Sequence, residues 1–175
     1  MTTVVPPPCR AAVVTVSDSR AGGREGDESG DVIAERLRRL PAAIVHRSIV
    51  ADSIDEIQSA VRQAMDLADL IVLTGGTGLG PRDVTPQAVT PLLDYQVPGM
   101  SEAMRHDGVQ RTPHALLSRQ VVGVAGRCLI IALPGSTKAV AESLDSIWVA
   151  LPHALQLLRG DTAHRSASAG QDAHA

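Results

Sequence analysis

Aromatic side chains are nearly missing from these 175 residues, which hold no phenylalanine, one tyrosine and one tryptophan. A core must therefore be built from Val, Leu, Ile and Ala, and a nucleic-acid reader that stacks bases on aromatic platforms is excluded. A basic excess is missing too. With a net charge of −3 nothing draws the whole chain to a polyanion, so any anion site has to be local. Cysteine is limited to Cys9 and Cys128, which fit no metal spacing. A free cysteine packs as a small hydrophobe; that suits Cys128 in a strand and leaves Cys9 to a loose terminus. The six histidines show no H-x-x-x-H pattern. No apolar run reaches the ~18 residues needed to cross a bilayer. Met1 to Pro8 has neither the basic start nor the apolar stretch of a signal peptide, so the chain is expected in the cytoplasm, without a membrane partner.

What is present is the composition of one globular domain, 44% apolar and 20% charged. Residues 1–9, with three consecutive prolines, read as a disordered lead-in, and residues 161–175 as a flexible tail of small polar residues; 10–160 is the domain. Its apolar runs at 11–17, 43–50, 69–74, 120–124 and 128–133 read as strands. A helix is expected over 29–40, with Ile33, Leu37 and Leu40 on one face and Pro41 stopping it. Ser53 and Glu56 have capping-box spacing at the head of a second helix. Thr85 and Pro86 read as N-cap and first-turn proline of a third, which Pro91 should distort or shorten. Short helices are expected near 98–107 and from 112. A last helix runs from Ser136 through Val140, Leu144, Ile147 and Leu151, interrupted at Pro152. Strands alternating with helices predict an α/β domain with a mostly parallel sheet, and the pair around Gly126 adds an antiparallel edge hairpin. Ligands of such sheets bind outside the carboxyl ends of the strands. The loops 18–28, 75–84 and 134–137 leave those ends and should converge on one crevice.

The second of these loops carries the strongest signal. TGGTGLGPRD (74–83) puts four glycines in six positions between a buried strand and a helix, enough to bring successive backbone N–H groups against an anion. It is not a P-loop, because Pro81 and Arg82 stand where Lys and Ser/Thr are required, and it fails the dinucleotide fingerprint at Pro81. Asp83 closing this loop and Asp52 before the second helix could hold Mg²⁺ between them, or each could be a solvated cap. Lys138, in LPGSTK, is the only lysine among sixteen fixed cations and suits a phosphate as a point charge; a chance survivor in a helix's first turn reads equally well. Asp27 and Gly30, in DESG, fit a helix cap with a close backbone approach.

TGGTGLGPRDVTP (74–86), PGMSEAMR (98–105), LLSR (116–119) and LPGSTKAV (133–140), with VSDSR (16–20) and DESG, resemble the signature segments of the Mog/MoaB molybdenum-cofactor family. The resemblance covers about residues 10–160. It implies a three-layer α/β/α domain assembled as a trimer or hexamer, and transfer of AMP from Mg-ATP to the terminal phosphate of molybdopterin with release of pyrophosphate. A non-catalytic protein that only holds molybdopterin or its precursor is the alternative within the family. By the resemblance Asp52 and Asp83 are the catalytic pair. Asp52 is then expected to organise Mg²⁺ and the triphosphate, and Asp83 to accept hydrogen bonds from pterin nitrogens or share the metal. Thr74, Gly75, Gly76, Thr77, Gly78, Asp83, Pro134, Gly135, Ser136 and Lys138 form the implied molybdopterin half. Ser17, Asp18, Asp27, Ser29, Gly30 and Glu102 form the implied nucleotide half. Hand-over to a molybdate-inserting enzyme follows from the same resemblance. Thr137 stands where the family commonly has proline.

Overall fold

Buried β-branched and leucine runs organise the chain from its first described residue. The computed structural model describes residues 9–23 and 25–160; the expectations for 1–8 and 161–175 lie outside these. The first strand, β1 (Cys9–Val16), already includes Cys9. Cys9 is buried and its N–H donates to the Pro41 carbonyl, so the residue belongs to the sheet and not to a loose lead-in. The polar run after it, read from sequence as loop, opens with a short helix α1 (Asp18–Ala21). Then come α2 (Glu28–Leu37), β2 (Ala42–Val50), α3 (Ile54–Met65) and β3 (Leu70–Thr74).

The second half runs α4 (Thr85–Val89), a 3-10 turn Thr90–Leu92, β4 (Tyr95–Gln96), α5 (Pro98–Val109) and a 3-10 turn Pro113–Leu117. It ends with β5 (Val121–Ala125), β6 (Cys128–Leu133), α6 (Thr137–Ile147) and α7 (Leu151–Arg159). Pro91 shortens its helix as expected: α4 stops at Val89 and tightens into the 3-10 turn, since a proline ring cannot donate to the preceding turn. Pro152 likewise sits in the first turn of α7, where its missing N–H costs nothing. Two expected caps take other partners. Ser53 makes no side-chain cap bond, and Glu56 accepts the N–H of Ala51 at 3.2 Å. The capping box fails because the Ser53 N–H already donates to the Ala51 carbonyl. Thr85 starts α4 but its hydroxyl is drawn instead to the Gly75 carbonyl, at 2.8 Å.

The six strands lie in the order β2-β1-β3-β6-β5-β4. β2, β1, β3 and β6 are parallel, while β5 runs antiparallel to both β6 and β4. This is the expected parallel sheet with an antiparallel edge, extended by a two-residue strand that has no periodicity to betray it. Alternate side chains feed two cores. Val13, Leu70, Val72 and Ile131 pack on one face against Ile33, Leu37, Val140, Leu144 and Leu151. Val14, Ile71, Leu73 and Ile130 pack on the other against Ile57, Val61, Ala88 and Val89. The result is three layers, helix on sheet on helix. Among the described residues no helix is long and apolar enough to cross a membrane.

The chain leaves β1 toward β2 on one side and returns through α3 to β3 on the other, so the sheet's switch point lies between β1 and β3. Their carboxyl ends, Val16 and Thr74, and that of β6, Leu133, open into the three loops that the sequence singled out. At the opposite end a cavity of about 370 Å³ is bordered by Arg10, Asp69, Arg127 and Arg159. Its cations are spoken for: Arg10 and Arg159 hold Asp69, and Arg127 holds the Leu158 and Arg159 carbonyls. That end stitches α7 to the sheet.

Candidate active site

The three loops touch at Gly75. Its φ of +102° belongs to glycine, and an added Cβ would land on the Val16 carbonyl oxygen. A Cβ on Gly135 would come 3.4 Å from the Gly75 Cα. Gly75 N–H donates to the Leu133 carbonyl, and the Thr74 hydroxyl reaches the Pro134 carbonyl at 2.7 Å. The ends of β1, β3 and β6 are thereby locked into one floor. Above it lies a cavity of about 370 Å³ bordered by Gly76, Thr77, Gly78, Asp83, Pro134, Gly135 and Ser136 on two loops.

On the β1 side of that floor two aspartates are interlocked. Asp18 N–H donates to Asp52 Oδ2 at 2.9 Å, and Asp52 N–H donates to Asp18 Oδ1 at 3.0 Å. Arg82 reaches across from the glycine loop and grips the Asp18 carboxylate with Nε and Nη2, at 3.0 and 2.9 Å. Asp52 Oδ1 faces the glycine loop, since a Cβ on Gly76 would lie 3.1 Å from it. Burial chiefly, and then the charges of Asp18 and Asp83, lift the Asp52 carboxyl above its ordinary value. The Asp18 N–H and Arg82 pull the other way.

Asp83 is wrapped by its own loop. Its Oδ2 accepts the Gly80 N–H at 2.8 Å, and a Cβ on either Gly78 or Gly80 would come 2.8 Å from that oxygen. Two of the four loop glycines are thus explained by room for a carboxylate. Among the described residues no group of three or more His, Cys, Asp and Glu could hold a metal ion by itself. Mg²⁺ needs no such cage, for it is commonly held by one or two carboxylates together with substrate phosphates and waters. Asp52 Oδ1, turned toward the loop, fits that mode.

The remaining expected residues are placed differently. Ser17 caps α1. Asp27 is fully engaged: Oδ1 accepts the Thr15 hydroxyl and the Gly30 N–H, and Oδ2 accepts Arg47. An added Cβ on Gly30 would collide with that carboxylate, so Gly30 serves the helix cap. Ser29 is fully buried, and its hydroxyl has no partner among the described residues. Lys138 is exposed in the first turn of α6. Glu102 is exposed on α5, which packs on α6, β5 and the Pro113–Leu117 turn.

The far wall of the cavity holds no residue that the sequence assigned to the site, although LLSR (116–119) is one of the resembling segments. His114, Leu117 and Ser118 border it. His114, Ser118, Pro134 and Ser136 also border a second cavity of about 250 Å³ between α5 and α6. Ser118 Oγ is buried without a hydrogen-bond partner among the described residues. Arg119, the next residue, donates from Nε to the Gly78 carbonyl at 2.7 Å and from Nη2 to the Asp83 carbonyl at 2.5 Å. The LLSR segment was the only signal for this wall.

A three-layer α/β domain with a glycine-lined cleft at its switch point belongs among the ligand-binding doubly wound folds. Residues 12–153 match the family described as a probable molybdopterin binding domain, and the chain belongs to that family. The molybdenum cofactor biosynthesis bifunctional protein of Synechococcus elongatus is 42% identical over 151 residues, 86% of this chain and 47% of its own length. Molybdopterin adenylyltransferase of Helicobacter pylori is 37% identical over 153 residues, 85% of this chain and 87% of its own. A crystal structure of the molybdopterin biosynthesis enzyme MoaB from Thermus thermophilus matches with a TM-score of 0.82 at 44% identity, covering 87% of this chain and 97% of that one. The chain spans 22% to 49% of the length of four curated relatives.

Proposed function

We propose that this chain is a molybdopterin adenylyltransferase, moving AMP from Mg-ATP to the terminal phosphate of molybdopterin. An oxygen of that phosphate attacks the α-phosphorus of ATP in line, the new P–O bond forms, and the bond to the β-phosphate oxygen breaks to release pyrophosphate. The attacking oxygen is already anionic at neutral pH, so the protein's task is positioning and charge control rather than proton abstraction. One observation carries the reading: the interlocked Asp18–Asp52 pair lies directly across Gly76 from a glycine-lined cavity. A cation-binding edge and an anion cradle therefore share one crevice.

In this reading Thr74, Gly75, Gly76, Thr77, Gly78, Pro134, Gly135, Ser136 and Lys138 serve the pterin phosphate, and Asp83 accepts from pterin nitrogens. Asp52, with Asp18 beside it, would hold Mg²⁺, which when bound neutralises charge on the triphosphate. Ser17, Asp27, Ser29 and Gly30 shape the nucleotide side. Glu102, exposed on α5, joins the nucleotide side either within the chain or from a neighbouring copy. The latter placement accords with the proposed trimer or hexamer. Hand-over of product to a molybdate-inserting enzyme, in the cytoplasm, completes the proposal and suits a family whose members include a bifunctional cofactor-biosynthesis protein.

Purified protein mixed with molybdopterin, ATP and Mg²⁺ is expected to give adenylyl-molybdopterin and pyrophosphate in equal amounts. Pterin binding with no AMP transfer would assign the chain to the binding-only class instead.

A further inference from the structure

We propose that Arg119 is a positioning residue that sets the polarity of the glycine loop, an inference that rests on the pterin-phosphate reading of the cavity. Three carbonyls of the loop are held by this one residue. Its backbone N–H takes the Thr77 carbonyl at 2.9 Å, and its guanidinium takes those of Gly78 and Asp83. Each peptide is planar and trans, so a carbonyl fixed in one direction fixes the following N–H in the opposite one. Gly78, Leu79 and Val84 therefore have N–H groups turned away from Arg119. Arg119 does not border the cavity, whereas Thr77, Gly78 and Asp83 do. Carbonyl oxygens that would repel a phosphate are thus gathered on Arg119, and the opposing donors face away from it, the Gly78 N–H on a residue that borders the cavity.

A glycine-rich loop cannot enforce this by itself. Glycine admits many backbone conformations and loses the most entropy on being fixed, so an unclamped loop would rotate its peptides freely. Charge-assisted bonds from a planar fork are well suited to hold two carbonyls at once. The clamp also fixes the width of the cleft. Leu117 and Ser118 border the cavity on its far wall, and the very next residue holds the loop that forms the near wall. Nothing in the chemistry requires Arg119 to touch substrate; it acts through the loop.

The test compares the full-length chain with Arg119→Lys and Arg119→Ala, using three readouts. Hydrogen exchange of the free protein comes first. The Gly80 and Asp83 amides, which bond within the loop, should exchange about tenfold faster or more in Arg119→Ala, while the Gly75 amide, bonded to Leu133, should not change. Next, the Kd and KM for molybdopterin should rise tenfold or more in Arg119→Ala and less in Arg119→Lys, with the KM for ATP within twofold. Finally, guanidinium ion at millimolar concentration should restore much of the pterin affinity to Arg119→Ala but add nothing to the wild type.

Unchanged pterin affinity in both variants would overturn the inference, as would equal losses toward pterin and ATP with no guanidinium rescue. Wild-type protein run alongside separates the two claims. If it binds molybdopterin but transfers no AMP, only the transferase reading falls; if it binds no molybdopterin, both fall.

Discussion

Asp18 and Asp52 hold each other at the backbone, each carboxylate accepting the other's N–H at 3.0 and 2.9 Å. The arrangement orders the ends of β1 and β2 around two like charges, with Arg82 gripping only one of them. On the proposed reading, keeping this arrangement trades stability for function at Asp52.

Asp52→Asn should therefore lower kcat by about a hundredfold or more without destabilising the protein. The sign follows from linkage: a carboxyl whose folded value is raised binds its proton more tightly when folded. Stability then falls as pH rises from the ordinary carboxylate value through the raised one. The asparagine variant lacks that decline. Thermal unfolding of the pair across pH 3 to 8 should show the variant gaining on the wild type through that window and holding its advantage above it. A variant less stable than the wild type at pH 7 would contradict this.

Gly75→Ala should be among the most disruptive single changes in the chain. Left-handed backbone costs about 1–3 kcal/mol for a residue with a side chain, and here the Cβ also strikes the Val16 carbonyl. Neither backbone can withdraw without parting β1 from β3. Loss of roughly 3 kcal/mol or more in a urea titration is expected, against a much smaller loss for Gly126→Ala. Gly126 has a φ of +59° and, among the described residues, nothing within 4 Å of an added Cβ.

Asp69 carries the opposite sign from Asp52. Burial alone would raise its carboxyl, but the side chain and backbone N–H of Arg10, together with Arg159, outweigh burial and hold it below its ordinary value. Asp69→Asn should cost about 2 kcal/mol at pH 7. The wild type's advantage is fully present above the ordinary carboxylate value near ~4 and fades as pH falls through the depressed one. Chemical denaturation at pH 7 and pH 3 should show the two proteins converging in acid. Activity should be little affected, because this network lies at the far end of the sheet.

Neither thiol should react in the folded protein. Burial pushes Cys128 up to about 12 and Cys9 up to about 11, with the Asp69 charge adding to both. Only the thiolate is a strong nucleophile. A thiol reagent at pH 8 should therefore label both cysteines only after denaturant is added; rapid labelling of Cys9 alone would show that the start of β1 frays.

Sequence made the architecture legible because the central strands β1, β3, β5 and β6 are buried on both faces and appear as apolar runs, such as IVLT ending at Thr74. The cleft was legible because strand ends and glycines coincide there. Apart from the Ser53 capping box, which fails to a local bond with Ala51, what escaped has a partner distant in sequence. Tyr95–Gln96 pairs with Val124 and Gly123 and has no pattern of its own. Thr85 looked like a cap until the buried Gly75 carbonyl was seen to claim its hydroxyl. Cys9 looked like terminus because its neighbours are prolines, yet the Pro41 carbonyl captures its N–H. Arg119 lies far along the chain from Gly78, and only a fold can bring a guanidinium to that carbonyl.

The most direct test of the crevice as an AMP-transfer centre is a single-turnover reaction with α-labelled ATP, molybdopterin and saturating Mg²⁺. Wild type and Asp52→Asn should be run side by side, with pterin affinity measured on both. Label should pass to the pterin in the wild type and fall by about a hundredfold or more in the variant, while the Kd for molybdopterin stays within twofold. Label transfer at the wild-type rate in Asp52→Asn would contradict the assignment of this crevice.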